Sequence, residues 1–333
     1  MIRIAIDLMG SDLGCAELGQ AVLQYLKETK DSHVLLFGDA DQLKPIFSSL
    51  DPSRYEIRPT TSVIPMEIKP LDFLRAKSSS LYQAIDAVRS GEADGVLTAG
   101  STGGLVTGAS MLLRNIDGVG RSGLCTPFPT AILDKGAVIL DVGANNVNTA
   151  EDLYGFARMG RIYCQQIMGE ENPNCYLLSN GTEEGKGTEE IIGAYQLMKS
   201  KAFPGFMGNA EARNVLDGKH DLIITGGFAG NVFLKSTEGM ASIMNSLIKS
   251  SFKRNLFTKI GYLFSHKGFD QMKKVMNYRR YGGAILLGVN GVSVKAHGNS
   301  NTLAFYQAIK VCDKMVRSDI IGKIKKEFAS QHD

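Results

Sequence analysis

The chain has 333 residues, 44% of them hydrophobic and 21% charged, with a formal net charge of +3. A chain of this length and apolar content can bury a sizeable core, which excludes global disorder, and the net charge by itself is too small to point to nucleic acid. Its five cysteines have no CxxC spacing, so they suggest neither a zinc site nor a disulfide framework and suit the reduced thiols of a cytoplasm.

The first residues, Met1 to Asp7, form a strand and not a signal peptide, because the apolar run is short and ends in a carboxylate. No stretch approaches the roughly 18 apolar residues that a membrane span requires. Strands are predicted at 3–7, 34–37, 95–99, 137–141, 175–179 and 221–225. Helices are predicted at 17–28, 80–90, 103–114, 151–168, 188–199, 230–250 and 302–316. Alternating units of this kind imply an α/β fold, a three-layer α/β/α sandwich on a largely parallel sheet, with residues 1–333 as one domain. Residues 249–280 break the pattern. They carry nine Lys and Arg against the single acid Asp270, with Phe252, Phe257, Tyr262, Phe264 and Phe269 interleaved. The stretch reads as a basic amphipathic helical excursion that protrudes from the body.

The 37 glycines exceed the usual share of about 7% and cluster at strand ends. Asp7-Leu8-Met9-Gly10, Ala99-Gly100-Ser101-Thr102-Gly103-Gly104, Asp141-Val142-Gly143-Ala144-Asn145-Asn146 and Thr225-Gly226-Gly227-Phe228-Ala229-Gly230-Asn231 each follow a predicted strand. Ligands of parallel sheets bind at the carboxyl ends of strands, so these loops are expected on one edge of the sheet.

Two motifs fail on inspection. Gly118-Val119-Gly120-Arg121-Ser122-Gly123 matches GxGxxG by letter but lacks the strand before it and the helix after it. Gly181 to Thr188 is one residue short of a Walker A loop and has Gly187 where the magnesium-binding hydroxyl belongs. The second still gathers backbone N–H groups, the Lys186 ammonium and a helix start, which together suit an anion; Thr188 is expected to cap that helix. An ordinary capped turn with a solvated lysine is the alternative. Gly100 to Gly104 offers the same physics with hydroxyls, or else tight helix–strand packing. Lys77-Ser78-Ser79-Ser80 adds a cation and hydroxyls, or a serine cap. His297, in Lys295-Ala296-His297-Gly298, is a candidate acid–base group or a structural loop histidine.

The loops taken in order, together with Tyr281-Gly282-Gly283-Ala284 to Gly291 and the closing Lys295-Ala296-His297-Gly298, resemble the bacterial phosphate acyltransferases of the PlsX family over nearly the whole chain. The resemblance implies a fold like isocitrate and isopropylmalate dehydrogenases and phosphotransacetylases. It implies conversion of acyl-[acyl carrier protein] and inorganic phosphate to acyl phosphate in phospholipid synthesis, with no metal or organic cofactor and no nucleic acid. It also implies a cytoplasmic homodimer that meets the inner face of the membrane peripherally. In such chemistry Lys186 and Asn231 are the catalytic candidates, for charge neutralisation and for donation to the thioester carbonyl. Candidate phosphate or substrate contacts are Asp7, Gly10, Asp12, Lys77, Ser79, Gly100, Ser101, Thr102, Gly103, Asn145, Glu184, Gly185, Gly187, Gly230 and His297. Lys253, Arg254, Phe257, Lys259, Phe264, Lys273 and Lys274 are candidates for membrane or carrier-protein contact.

Several positions depart from the family pattern. Leu13 stands where the family has His, Ser78 and Gly226 where it has Asp, and Ser101 where it has Asn. Asn146-Val147-Asn148 replaces an Asp–Cys pair. Two other readings therefore stay open: a catalytically impaired paralogue with a binding or regulatory role, and a phosphotransacetylase-like enzyme that uses acyl-coenzyme A.

Overall fold

The computed structural model describes residues 1–65, 67–276 and 282–330, with the backbone alone at 270, 271 and 273–276. Its strands are β1 (Ile2–Asp7), β2 (Ser32–Gly38), β3 (Tyr55–Pro59), β4 (Gly95–Thr98), β5 (Gly123–Pro129), β6 (Gly136–Leu140), β7 (Cys175–Ser179), β8 (Phe206–Glu211), β9 (Leu222–Ile224), β10 (Ala284–Leu287) and β11 (Val292–Lys295). Its helices are α1 (Gly14–Glu28), α2 (Ala40–Phe47), α3 (Pro70–Arg75), α4 (Ser80–Arg89), α5 (Thr102–Leu112), α6 (Ala150–Tyr163), α7 (Glu189–Ser200), α8 (Gly227–Lys253), α9 (Leu256–Met276), α10 (Thr302–Arg317) and α11 (Ile320–Ala329).

All six predicted strands are present. The described strands form a single sheet in the order β3-β2-β1-β4-β11-β10-β5-β6-β9-β7-β8. Side chains alternate between its faces, so each face carries its own core. One is built on Ile4, Ile6, Val138, Leu140, Val292 and Val294 against α1, α6, α10 and α11. The other is built on Ala5, Val96, Leu124, Ile139 and Leu286 against α4 and α5, with Phe233 and Leu234 of α8 packed beside them. This is the expected three-layer sandwich.

The sheet is mixed, and that overturns the expectation of one ligand edge. β2, β3, β1, β4 and β11 run the same way, β10 is antiparallel to β11, and β5 is antiparallel to β10. The antiparallel β5–β6 pair then reverses β6, β9, β7 and β8 relative to the first half. Loops after β1, β4 and β11 therefore lie on one edge, and loops after β6, β7 and β9 on the opposite edge. The reversal is hidden in sequence because Pro127 and Pro129 make 123–129 a poor strand by pattern, although they pair with Val138 and Gly136.

The two sets of loops share a face instead. Asp7 follows Ala5 by two residues and Thr98 follows Val96, so both point to the face of the second core; beyond β6 the alternation ends, and Val142 packs into the same core as Ile139. Lys295 joins them, because Ser293, two residues earlier, pairs directly with Leu286 of that core. α5 starts over this face from one edge and α8 from the other.

Within the stretch expected as an excursion, 249–280, residues 277–280 lie outside the described residues, and the helix that leads into it starts well before 249. α8 runs unbroken for 27 residues, about 40 Å, from the sheet edge out to Lys253, and α9 returns alongside it. Phe252 holds the two helices together, with ring centroids 5.4 Å from Tyr262 and 4.6 Å from Phe269. The other aromatic positions face outward: Phe257 is 85% and Phe264 87% exposed, beside exposed Lys253, Arg254 and Lys259. Lys273 and Lys274 lie on α9, their side chains outside the description, and Arg279 and Arg280 fall outside the described residues. No helix among the described residues is long and apolar enough to cross a membrane.

Candidate active site

On the first edge, Asp7 organises the loops after β1 and β4. Its carboxylate accepts from the Met9 N–H at 3.0 Å and from the Thr98 hydroxyl at 2.7 Å, and Thr98 Oγ1 in turn accepts from the Gly100 N–H at 2.8 Å. The Ser80 hydroxyl, which otherwise meets no hydrogen-bond partner, faces the same carboxylate. Burial pushes Asp7 up to about 6, against the pull of these hydrogen bonds and of the Lys295 charge. Gly10 has φ +75°, and a methyl there would lie 3.1 Å from Gly100 Cα, so the two loops touch backbone to backbone. The loop after β11 is tied to the same cluster. Gly298 O accepts from the Asp12 N–H at 2.9 Å and from the Ser11 hydroxyl at 3.1 Å.

α5 opens directly over this cluster. Ser101 is buried and caps it, accepting from the Gly104 N–H at 3.0 Å, while Thr102 and Gly103 stand exposed at its first turn. The first N–H groups of a helix have no partner inside it, so this end is open to an anion. Ser79 does the same for α4: its hydroxyl donates to Ala76 O and accepts from the Tyr82 N–H, which makes it a structural cap. Lys77 is exposed ahead of it, and His297 is half-buried beyond β11.

On the second edge, Asp141 is fully buried and folds the loop after β6 around itself. One oxygen accepts from the N–H groups of Leu124, Gly143 and Ala144; the other accepts from the Asn145 N–H and from Asn145 Nδ2. The Asn145 amide also donates to Ser122 O at 2.8 Å, so this side chain, expected to meet substrate, braces the loop. α8 starts on top of that loop. Its first N–H, that of Gly227, donates to Asn148 Oδ1 at 3.1 Å. Asn148 thus holds the first N–H of α8 from the neighbouring loop, while the N-cap position itself, Gly226, has no side chain to offer. A Cβ at Gly226 would lie 3.2 Å from the same oxygen, so a larger side chain there would crowd it.

Gly227 and Gly230 face the Asp141 loop, and Phe228, Asn231, Val232 and Lys235 are exposed along the flank of α8 beside them. Asn231 is exposed beside Gly143, and its amide makes no hydrogen bond among the described residues. Lys186, in the loop after the neighbouring strand β7, is also exposed, and its ammonium makes no ion pair among the described residues. Its loop is shaped from below by Asn209, whose amide donates to Glu183 O at 2.8 Å. Two expectations here are corrected. Glu184 is held by Lys199 at 2.9 Å and Gln196 at 2.8 Å on α7, an external brace that lowers its pKa chiefly through the Lys199 bond. Thr188 stands at the start of α7 without a side-chain capping bond.

Lys295 is the residue that sequence reading passes over, since its partner Ala99 lies 196 residues away along the chain. It is 8% exposed, and its ammonium donates to Ala99 O at 3.2 Å and to Ala296 O. Burial lowers it to about 8, with Asp7 and Asp12 pulling it up. Lys235, one turn beyond Asn231, lies near enough to lower it further. Through that field the cluster of the first edge senses α8 of the second.

The model of a family described as fatty acid synthesis protein matches residues 2–323. A phosphate acyltransferase of Mesoplasma florum is 37% identical over 330 residues, covering 98% of this chain and 100% of that one. A phosphate acyltransferase of Staphylococcus haemolyticus is 40% identical over 311 residues, covering 93% of each. The crystal structure of a phosphotransacetylase from Streptococcus pyogenes superposes with a TM-score of 0.61 over 95% of this chain and 94% of that one; at 14% identity this is a likeness of fold.

Proposed function

The chain belongs to the fatty acid synthesis protein family, and from that premise we propose that it is a phosphate acyltransferase: it moves the acyl group of acyl-[acyl carrier protein] to inorganic phosphate, giving acyl phosphate and the free carrier thiol. The observation that carries this reading is the pair of glycine-opened helix starts, α5 and α8, set over one sheet face from opposite edges. The reaction has two anionic oxygen centres to stabilise, a phosphate and a thioester carbonyl that becomes an oxyanion. The α5 start, with Thr102, Gly103 and the Asp7–Lys295 cluster beneath, suits phosphate. Asn231 and Lys186, exposed and unengaged on the other edge, suit the carbonyl and the developing charge. Attack by phosphate oxygen on the thioester carbon forms the C–O bond as the C–S bond breaks, and the proton lost by phosphate leaves with the carrier thiol. No covalent enzyme intermediate is needed.

Turnover of acyl-[acyl carrier protein] with phosphate tests the reading; purified protein inert with every acyl chain length would sink it. Acyl-coenzyme A offered in competition separates the phosphotransacetylase-like alternative, which would show as preference for the coenzyme A thioester. The impaired-paralogue alternative is tested by Leu13→His with Gly226→Asp, which it expects to raise turnover sharply. Asn148, bonded to the Gly227 N–H and close to any side chain at 226, speaks for an enzyme adjusted to Gly226, in which the double variant gains nothing.

We infer that the α8–α9 hairpin adds a peripheral contact with anionic membrane or with the acidic carrier protein, and that the chain works as a cytoplasmic homodimer. Exposed Phe257 and Phe264 beside Lys253, Arg254 and Lys259 support the first. Anionic vesicles are expected to sediment the protein more than neutral ones, and less so at high salt. Equal binding to both would rule out electrostatic docking. Exposed Met240, Ile243 and Leu247 on α8 support a covering second copy, read by sedimentation velocity.

A further inference from the structure

We propose that Lys295 is a positioning residue for phosphate: its buried ammonium holds the Ala99–Ser101 turn in the shape that lets the start of α5 receive the anion. The inference rests on the reading of the chain as a phosphate acyltransferase.

A lysine charge is rarely buried without a carboxylate in contact, because the lost hydration is expensive. Lys295 has no ion pair among the described residues. It spends two of its three N–H donors on backbone carbonyls, Ala99 O and Ala296 O, one at the end of each neighbouring strand. Those carbonyls precede Gly100-Ser101 and His297-Gly298. The ammonium therefore cross-links the two loops that flank the α5 start, and it places a positive charge below the turn. A second chain of bonds, from Gly100 N–H to Thr98 Oγ1 and from Thr98 to Asp7, fixes the same turn from the other side. Three elements supply the charged groups around it: Asp7 from β1, Asp12 from the loop after β1 and Lys235 from α8. With Asp7 charged above about 6 and Lys295 charged below about 8, the pair carries both charges between those values. Above about 8 the positive charge below the turn is lost, and the two carbonyls are left with the weaker donors of a neutral amine.

The test is Lys295→Met, assayed for the KM of phosphate and the KM of acyl-[acyl carrier protein] separately across pH. The KM for phosphate is expected to rise at least about 10-fold, the scale of losing a charged hydrogen-bonding group, with the acyl KM near the wild-type value. Wild-type affinity for phosphate is expected to fall above pH about 8 in a way that Lys295→Met lacks. Comparing the two proteins at each pH cancels the ionisation of phosphate itself. Thr98→Val, which keeps the lysine and cuts the Gly100–Thr98–Asp7 chain, is expected to give the same selective loss, and it decides the matter if Lys295→Met does not fold. A lysine that only stabilises the fold would lower the melting temperature and leave both KM values and the alkaline limb in place; that result overturns the proposal. Calorimetric titration with inorganic phosphate gives the same comparison without turnover. An inactive wild type would therefore count against the enzyme reading and not against this inference.

Discussion

Alanine at Gly230 is expected to slow acyl transfer on the order of 100-fold and to destabilise the protein by about 1–3 kcal/mol, the range for forcing volume into a packed contact. A Cβ there would lie 1.9 Å from the Asp141 backbone oxygen and 2.8 Å from Thr225 Cγ2. Neither neighbour can yield. Asp141 accepts hydrogen bonds through both carboxylate oxygens, and Thr225 is locked to Leu140 by a backbone bond of 2.8 Å. The first turn of α8 must lift away from the sheet instead, and it takes Asn231, the next residue, with it. Misplacement of about 1 Å in a positioned group costs on the order of 100-fold in rate. Gly239 in the same helix is the control: it is exposed, a Cβ there meets nothing within 4 Å, and alanine is expected to stabilise by about 1 kcal/mol through helix propensity alone. Melting curves and turnover of the two variants check both halves. A Gly230→Ala protein with wild-type rate would show that α8 does not sit on the Asp141 loop as described.

Asn231→Ala is expected to lower kcat by about 100- to 1,000-fold with little change in stability, the scale for removing one preorganised oxyanion donor. The stability expectation follows from its setting: the side chain is exposed and its amide engages no described residue, so nothing in the protein is left unsatisfied. Lys186→Ala is expected to lower kcat/KM about 10- to 100-fold for the same structural reason, with partial recovery in Lys186→Arg. If the two residues serve one transition state, the double variant falls well short of the product of the single losses. Multiplicative losses would place them in separate steps. Single-turnover measurements distinguish these outcomes.

The helices and buried strands were legible because each is a local pattern. Asp7 to Ile2, Gly95 to Thr98 and Cys175 to Ser179 are short apolar runs closed by turn residues, and the strongest helices carry clear stripes or caps. β5 was not, since its two prolines argue against a strand. The candidate site was legible as residue types and only partly as roles. Ser79, Asn145 and Glu184 have the right chemistry for a ligand, but Ala76, Ser122 and Lys199 occupy them. Asn148 and Lys295 escaped because their importance lies in partners about 80 and 200 residues distant, Gly227 and Ala99.

The sequence by itself determined the layered α/β class, the glycine loops at the strand ends and the family to which their order points, since these depend on local composition and on neighbours along the chain. Only the tertiary structure decided how the loops meet. Strand direction is a property of pairing, so the reversal at β5–β6 sent two groups of loops to opposite edges, and the alternation of side chains brought Asp7, Thr98 and Lys295 to the face against which α8 packs. Burial then separated the polar residues that brace this face, such as Asp141 and Asn145, from those left open to a substrate, Lys186 and Asn231.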